Sequence, residues 1–282
     1  MGKFYSTSVI SSPPNSSIFE VLQKMQSNLI KRIVISEDTK PIGIITERDI
    51  NRFLEDNKTS KAINEIPIDH VMEKNIVLIT DDLENDFYQC ASKMDSLKIG
   101  SVIIVDKDEN LYGIVTRTDL VKAYANIFGK KYSVKDFMNT KIVTCRKSDS
   151  IKYALSLMNQ NHVSRLVVTD ENGTAVGLIS NNTLLTHSDY FTKGNTRSRD
   201  YLLPLNQDLV VNDLVEENLV IINQEEDLAK AASIMIKKKI SGIPVLDSNN
   251  NLVGLVSKTD VVKAFSDVIP HEDLKLKYKE MY

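Results

Sequence analysis

The stretch Gly43-Ile44-Ile45-Thr46-Glu47-Arg48-Asp49 returns three times along the same chain, as Gly113-Ile114-Val115-Thr116-Arg117-Thr118-Asp119, Gly177-Leu178-Ile179-Ser180-Asn181-Asn182-Thr183 and Gly254-Leu255-Val256-Ser257-Lys258-Thr259-Asp260. Each copy reads glycine, two apolar residues, a hydroxyl residue and, three positions on, an aspartate in all but the third. A methionine precedes every glycine by 18 or 19 residues, at Met25, Met94, Met158 and Met235. Agreement at this many positions defines four repeats, and a repeat decides architecture before any single motif can.

Working outward, each methionine closes an apolar stripe at helical spacing: Ile18, Val21, Leu22, Met25; Phe87, Cys90, Ala91, Met94; Ile151, Ala154, Leu155, Met158; Leu228, Ala231, Ala232, Met235. Cys90 stands where the other repeats carry Val21, Ala154 and Ala231, so it reads as a small core residue. A β-rich run follows each helix, for example Val102-Ile103-Ile104-Val105, and then a polar turn such as Asp106 to Asn110. The glycine begins a further strand, and Thr46, Thr116, Ser180 and Ser257 begin a second helix. Each repeat is therefore strand, helix, strand, strand, helix, an α/β chain of the α+β type. A unit of ~55 residues leaves one sheet face uncovered and is marginal alone, so the repeats should pair.

The 282 residues, 42% of them hydrophobic, are enough for about two cores. With 35 basic against 38 acidic residues the net charge is −3, which supplies no general pull toward nucleic acid or an anionic membrane. No apolar run nears the ~18 residues of a spanning helix, so a cytoplasmic protein with no membrane partner is expected. Two cysteines and four scattered histidines offer no metal-ligand spacing. Neither a nucleophile with its base nor a pair of acids is visible, so no catalytic residue is named and no enzyme is expected.

The repeated Gly-h-h-[Ser/Thr]-x-x-Asp, in which h is apolar, comes with lead-ins of the Val-x-Asp-h-Met type: Ile68 to Met72, Val134 to Met138, and Val211 to Val215 with valine in the methionine's place. Together they resemble the CBS (cystathionine β-synthase) domain. The resemblance covers residues 7–55, 68–125, 134–188 and 211–265. It implies two Bateman modules, 1–130 and 131–282, in which neighbouring repeats pair through their sheets with pseudo-twofold symmetry and offer clefts for ligands. In plan the chain is similar to the gamma subunit of AMP-activated protein kinase, and no segment of domain size is left over for a catalytic unit.

The same resemblance assigns roles to residues. The hydroxyls of Thr46, Thr116 and Ser257, with the amides beside them, would meet a nucleotide phosphate at a helix N-terminus. Asp49, Asp119 and Asp260 would accept ribose hydroxyls. Basic residues at the start of the second strand, Lys31, Arg32 and Arg165, would add the phosphate's counter-charge. Counting back from the methionines places Ser11, Thr80, Thr144 and Ile221 at the adenine edge. Thr183 cannot replace a carboxylate that accepts two hydrogen bonds, so a cleft depending on it should be weak, empty or altered in specificity. Spacing alone allows a plainer reading, because [Ser/Thr]-x-x-[Asp/Glu] is also a helix capping box.

The expected function is that of a regulatory sensor binding AMP, ADP or ATP, with no required cofactor, a homodimeric association and an effector protein that the sequence does not name. The rivals are a ligand-independent scaffold and a module for S-adenosylmethionine, for which phosphate-binding cations would be dispensable.

Overall fold

The computed structural model describes residues 5–56, 63–81, 87–186, 209–215 and 219–268. The segment 189–210 between repeats three and four and the C-terminal tail lie largely outside them, as do His187 and His271.

The predicted element order holds in all four repeats. Repeat one runs β1 (Ser11–Ser12), α1 (Ile18–Ser27), β2 (Arg32–Glu37), β3 (Lys40–Thr46) and α2 (Glu47–Asp56). Repeat two runs β4 (Leu78–Thr80), α3 (Phe87–Ser96), β5 (Ser101–Val105), β6 (Leu111–Thr116) and α4 (Arg117–Ile127). Repeat three runs β7 (Thr144–Arg146), α5 (Ile151–Gln160), β8 (Arg165–Thr169), β9 (Ala175–Ser180) and α6 (Asn181–Thr186). Repeat four runs β10 (Ile222–Asn223), α7 (Leu228–Lys237), β11 (Gly242–Leu246), β12 (Leu252–Ser257) and α8 (Lys258–Asp267).

Each repeat forms a three-stranded sheet in chain order, its first pair parallel and its second antiparallel. The parallel pair needs a crossover, and the methionine helix supplies it. α1 starts on a capping box in which Glu20 donates its amide to Ser17 Oγ at 3.2 Å and accepts the Ser17 amide at 2.8 Å. The helix stripes bury as their period requires, Met25, Met94, Met158 and Met235 included. Cys90 is fully buried, as expected of a small core residue, and burial pushes the Cys145 thiol up to about 12, with Asp149 adding to the shift.

Two compact units result, and their membership follows the helices. One unit joins repeats two and four: α3 and α4 pack on α7 and α8 around Tyr124, Phe128 and Phe265, with the last two rings edge-to-face at 5.4 Å. The other joins repeats one and three, where α2 packs on α5 and α6 in a core holding Ile50, Leu54, Met25 and Met158. This grouping differs from the modules 1–130 and 131–282, which follow chain order and pair neighbours through their sheets.

The lead-ins do not stay with the repeats that follow them. Residues 68–76 belong with repeat one, where Glu73 and Ile44 exchange backbone hydrogen bonds of 2.8 and 2.9 Å. In the other unit Ser6 pairs with Ile114 and Asn139 with Leu255 in the same manner. All three partners follow the motif glycine on the outer strand, so in each case a segment that precedes a first strand covers a sheet edge that would otherwise present unpaired amides. The glycine is what admits it. A Cβ at Gly43 would stand 2.5 Å from Met72 Sδ, and one at Gly254 2.6 Å from Met138 Sδ.

Candidate functional site

Strand register fixes where the motif residues meet. Antiparallel pairing sets Arg32 opposite Thr46, Ser101 opposite Thr116, Arg165 opposite Ser180 and Gly242 opposite Ser257. Directly opposed residues hold their side chains within about 5 Å at the Cβ. The strand-start cations Arg32 and Arg165 are thus brought beside the motif hydroxyl, with Lys31 next to Arg32 in sequence.

The motif hydroxyls and carboxylates are joined to each other. The Thr46 amide and hydroxyl both donate to Asp49 Oδ2, at 3.0 and 2.6 Å. Thr116 does the same to Asp119 Oδ2 at 2.8 and 2.7 Å, and Ser257 to Asp260 Oδ2 at 2.7 Å for each bond. The capping reading of the spacing is therefore physically realised. In each aspartate these bonds fall on one oxygen, Oδ2, which leaves Oδ1 outside the cap; Asp49 Oδ1 lies 3.7 Å from the Arg52 guanidinium. In repeat three the cap persists without charge. Ser180 Oγ and Thr183 Oγ1 lie 3.0 Å apart, and the Thr183 amide donates to Ser180 Oγ at 3.2 Å.

The amides next to the motif hydroxyls are arranged otherwise than expected. The first helical amide of each second helix already donates to the carbonyl before the second strand: Glu47 to Lys31, Arg117 to Gly100, Asn181 to Ser164 and Lys258 to Ser241, at 3.1 to 3.3 Å. A phosphate at this helix end would meet the next amide and the basic side chains rather than the amide directly after the hydroxyl.

Sequence reasoning missed the residue that carries that first amide. It is Glu47 in repeat one, Arg117 in repeat two, Asn181 in repeat three and Lys258 in repeat four. Repeats two and four, neutral at the strand start, thus gain a cation from the helix. Arg117 donates to the Ile99 carbonyl at 2.9 Å, and Lys258 Nζ donates to Thr118 Oγ1 at 2.9 Å. The signal was present as the one motif position whose charge changes sign among copies. Glu47 is 9% exposed and accepts a 2.5 Å hydrogen bond from Asn182 Nδ2. Burial pushes its carboxyl above the ordinary glutamate range, against the opposing charge of Lys31, the Asn182 bond and the charge of Arg32.

The expected adenine-edge set does not share one register. Taking the residue opposite the glycine as reference, the equivalent first-strand positions are Ser11, Leu78, Thr144 and Ile221. Thr80 lies two residues further along β4, because the segment between first strand and helix is longer by two residues in repeat two. Leu78 and Ile221 are 41% and 49% exposed, so two of the four positions offer an apolar surface to a ring. In repeat one Lys24 Nζ donates to the Ser11 carbonyl at 3.1 Å and to Ser12 Oγ at 2.8 Å, which takes one of that carbonyl's two acceptor positions. His162 has a φ of 54° and closes α5; Leu29, Lys98 and Lys239 do the same for the other methionine helices. It is a turn residue. No group of three or more His, Cys, Asp or Glu suited to a metal occurs among the described residues. Nor is any helix among them long and apolar enough to cross a membrane.

Comparison with known proteins agrees with this architecture. The CBS domain model matches residues 2–56, 68–126, 134–189 and 211–267. Protein MJ1225 of Methanocaldococcus jannaschii is 23% identical over 273 residues, spanning 90% of this chain and 94% of that protein. Its crystal structure, described as that of an archaeal homologue of g-AMPK, superposes with a TM-score of 0.80 at 21% identity over 93% of this chain and 98% of that one. CBSX2, solved in complex with AMP, matches 47% of this chain and 95% of its own at 27% identity, with a TM-score of 0.40. The CBS pair of protein MJ0100, in complex with 5′-methylthioadenosine and S-adenosyl-L-methionine, matches 48% of this chain and 95% of its own at 22% identity, with a TM-score of 0.39.

Proposed function

The chain belongs to the CBS domain family, and from that premise we propose that it is a regulatory protein that binds adenine nucleotides at the motifs of repeats one, two and four. The observation that carries the reading is a pairing repeated three times: a carboxylate held through one oxygen, and a cation within a residue of the same helix end. Asp49 has Lys31 and Arg32, Asp119 has Arg117, and Asp260 has Lys258. A fixed carboxylate suits the vicinal hydroxyls of a ribose, and a cation at a helix N-terminus suits its phosphate.

Thr46, Thr116 and Ser257 align the carboxylates, while Ser11, Leu78, Thr144 and Ile221 supply the strand beside the ring. Arg165 stands by a motif without a carboxylate, so repeat three is the weak member. Occupancy would act on an effector protein through a difference in affinity between two arrangements of the chain. A cytoplasmic homodimer is the assembly proposed.

Thermal unfolding against AMP, ADP, ATP, GTP and S-adenosylmethionine tests the reading. A ligand at ~100 times its dissociation constant stabilises by about 2.7 kcal/mol, a shift of several degrees for units of this size. A shift with adenine nucleotides that Asp49→Asn, Asp119→Asn and Asp260→Asn together remove supports it; a shift with S-adenosylmethionine alone changes the ligand. The capping bonds favour one competing reading, in which the motifs only start helices and the protein is a scaffold. An unchanged melting temperature across the whole panel would establish that instead.

A further inference from the structure

The residue after the motif hydroxyl differs in charge among repeats whose geometry is otherwise shared. Its amide is pinned in every copy, so its side chain leaves the same corner of the fold each time. In repeats two and four that side chain is Arg117, which donates to the Ile99 carbonyl, or Lys258, which donates to Thr118 Oγ1, and each puts a cation on the first residue of its helix. In repeat one it is Glu47, which is anchored inside its unit. Asn182 Nδ2 donates to it at 2.5 Å, and one turn along α2 Asn51, 1% exposed, donates to the Asn181 carbonyl at 3.3 Å. Both contacts tie the first turn of α2 to α6, and turning Glu47 out to water would break its bond with Asn182.

The Glu47 backbone is held next to both cations, its amide on the Lys31 carbonyl at 3.2 Å and the preceding Thr46 opposite Arg32. Around Thr46 the cations Lys31 and Arg32 share a corner with the carboxylates of Glu47 and Asp49, and Asp49 Oδ1 also has the Arg52 guanidinium at 3.7 Å. An incoming phosphate would need those cations and would also bring negative charge against a buried carboxylate, where screening by water is weakest. An uncharged adenosine compound meets neither obstacle.

We propose that Glu47 determines the specificity of repeat one, competing with ligand phosphate for Lys31 and Arg32 so that this repeat selects adenosine compounds of little or no phosphate charge. The inference rests on the adenine-nucleotide reading given above and changes it at one site, where the ligand keeps the adenosine and lacks most or all of the phosphate charge.

Titration calorimetry with 5′-methylthioadenosine, AMP and ATP tests it, in a full-length chain carrying Asp119→Asn and Asp260→Asn so that only repeat one keeps its carboxylate. That chain should bind methylthioadenosine more tightly than ATP. Adding Glu47→Gln, which keeps an acceptor for Asn182, should raise ATP affinity about fivefold or more, raise AMP affinity less, and leave methylthioadenosine within twofold. Adding Arg32→Gln to that variant should remove the gain. If Glu47→Gln leaves the ratio of ATP to methylthioadenosine affinity unchanged, or if the gain survives Arg32→Gln, the inference is overturned while the adenosine reading stands. If no chain, wild type included, binds any of the three compounds, the adenosine reading falls and takes the inference with it.

Discussion

At the scale of the residue, the motif aspartates serve two ends with two oxygens. Oδ2 closes a cap on the hydroxyl residue three positions earlier, and the same contact fixes the direction of the carboxylate. A substitution there changes helix stability as well as affinity, so Asp→Asn separates the two effects better than Asp→Ala does. Repeat three offers the reverse experiment. Ser180 and Thr183 already sit in capping geometry, and only the charge is missing. Thr183→Asp should give the Ser180 amide a carboxylate acceptor and place negative charge in the first turn of α6, where the helix dipole favours it. A gain of about 0.5–1 kcal/mol is expected from the midpoint of urea unfolding at constant slope. A loss of stability would mean that the neighbouring Asn181 and Asn182 contacts with α2 depend on a neutral residue at this position.

At the scale of the element, the outer strand of three of the sheets is built to receive a foreign segment. The motif glycine leaves room, and a methionine from a lead-in or a tyrosine ahead of repeat one fills it: Met72 on Gly43, Tyr5 on Gly113, Met138 on Gly254. Gly43→Ala would press a methyl group against Met72 Sδ at 2.5 Å and against the Glu73 carbonyl at 3.2 Å. Such overpacking costs about 1–3 kcal/mol. Because the sulfur ends a flexible side chain, Met72→Ala in the same chain should return part of that loss, and a double-mutant cycle by chemical denaturation reads the coupling. Independent, additive losses would show that the glycine is needed for some other contact. The helices and outer strands were legible in the sequence because the offsets from methionine to glycine are nearly constant. The first strand of repeat two was not, since two extra residues before α3 break a count made back from Met94 and move the equivalent position from Thr80 to Leu78. Of the candidate site, the joined pairs Thr46–Asp49, Thr116–Asp119 and Ser257–Asp260 were legible for the same reason of repetition. Glu47, Arg117 and Lys258 escaped notice because they break the repeat where the other residues keep it.

At the scale of the whole molecule, the chain changes unit four times, near residues 9, 76, 142 and 219, each time just before a first strand. Sequence did not reveal which repeats would share a core, because the apolar faces of the four motif helices are alike in character and any two could pack. Side-chain size makes the choice visible only afterwards. Tyr124 and Phe128 of repeat two meet Phe265 of repeat four at 6.2 and 5.4 Å, whereas α2 of repeat one offers Ile50, Leu54 and the buried amide of Asn51 to repeat three. Neither half of the chain therefore holds a complete unit. A fragment of residues 1–130 would carry repeats one and two, each without the helices that bury its own, and would expose the faces around Ile50 and Tyr124. Apolar faces of that kind are covered by association when their native cover is absent. The fragment should thus run as a dimer or larger species in size exclusion with light scattering, and it should lose helical circular dichroism on dilution as association reverses. A folded monomer of 1–130, stable to dilution, would show that neighbouring repeats suffice for one another, and that the partition by helices is not the partition by stability.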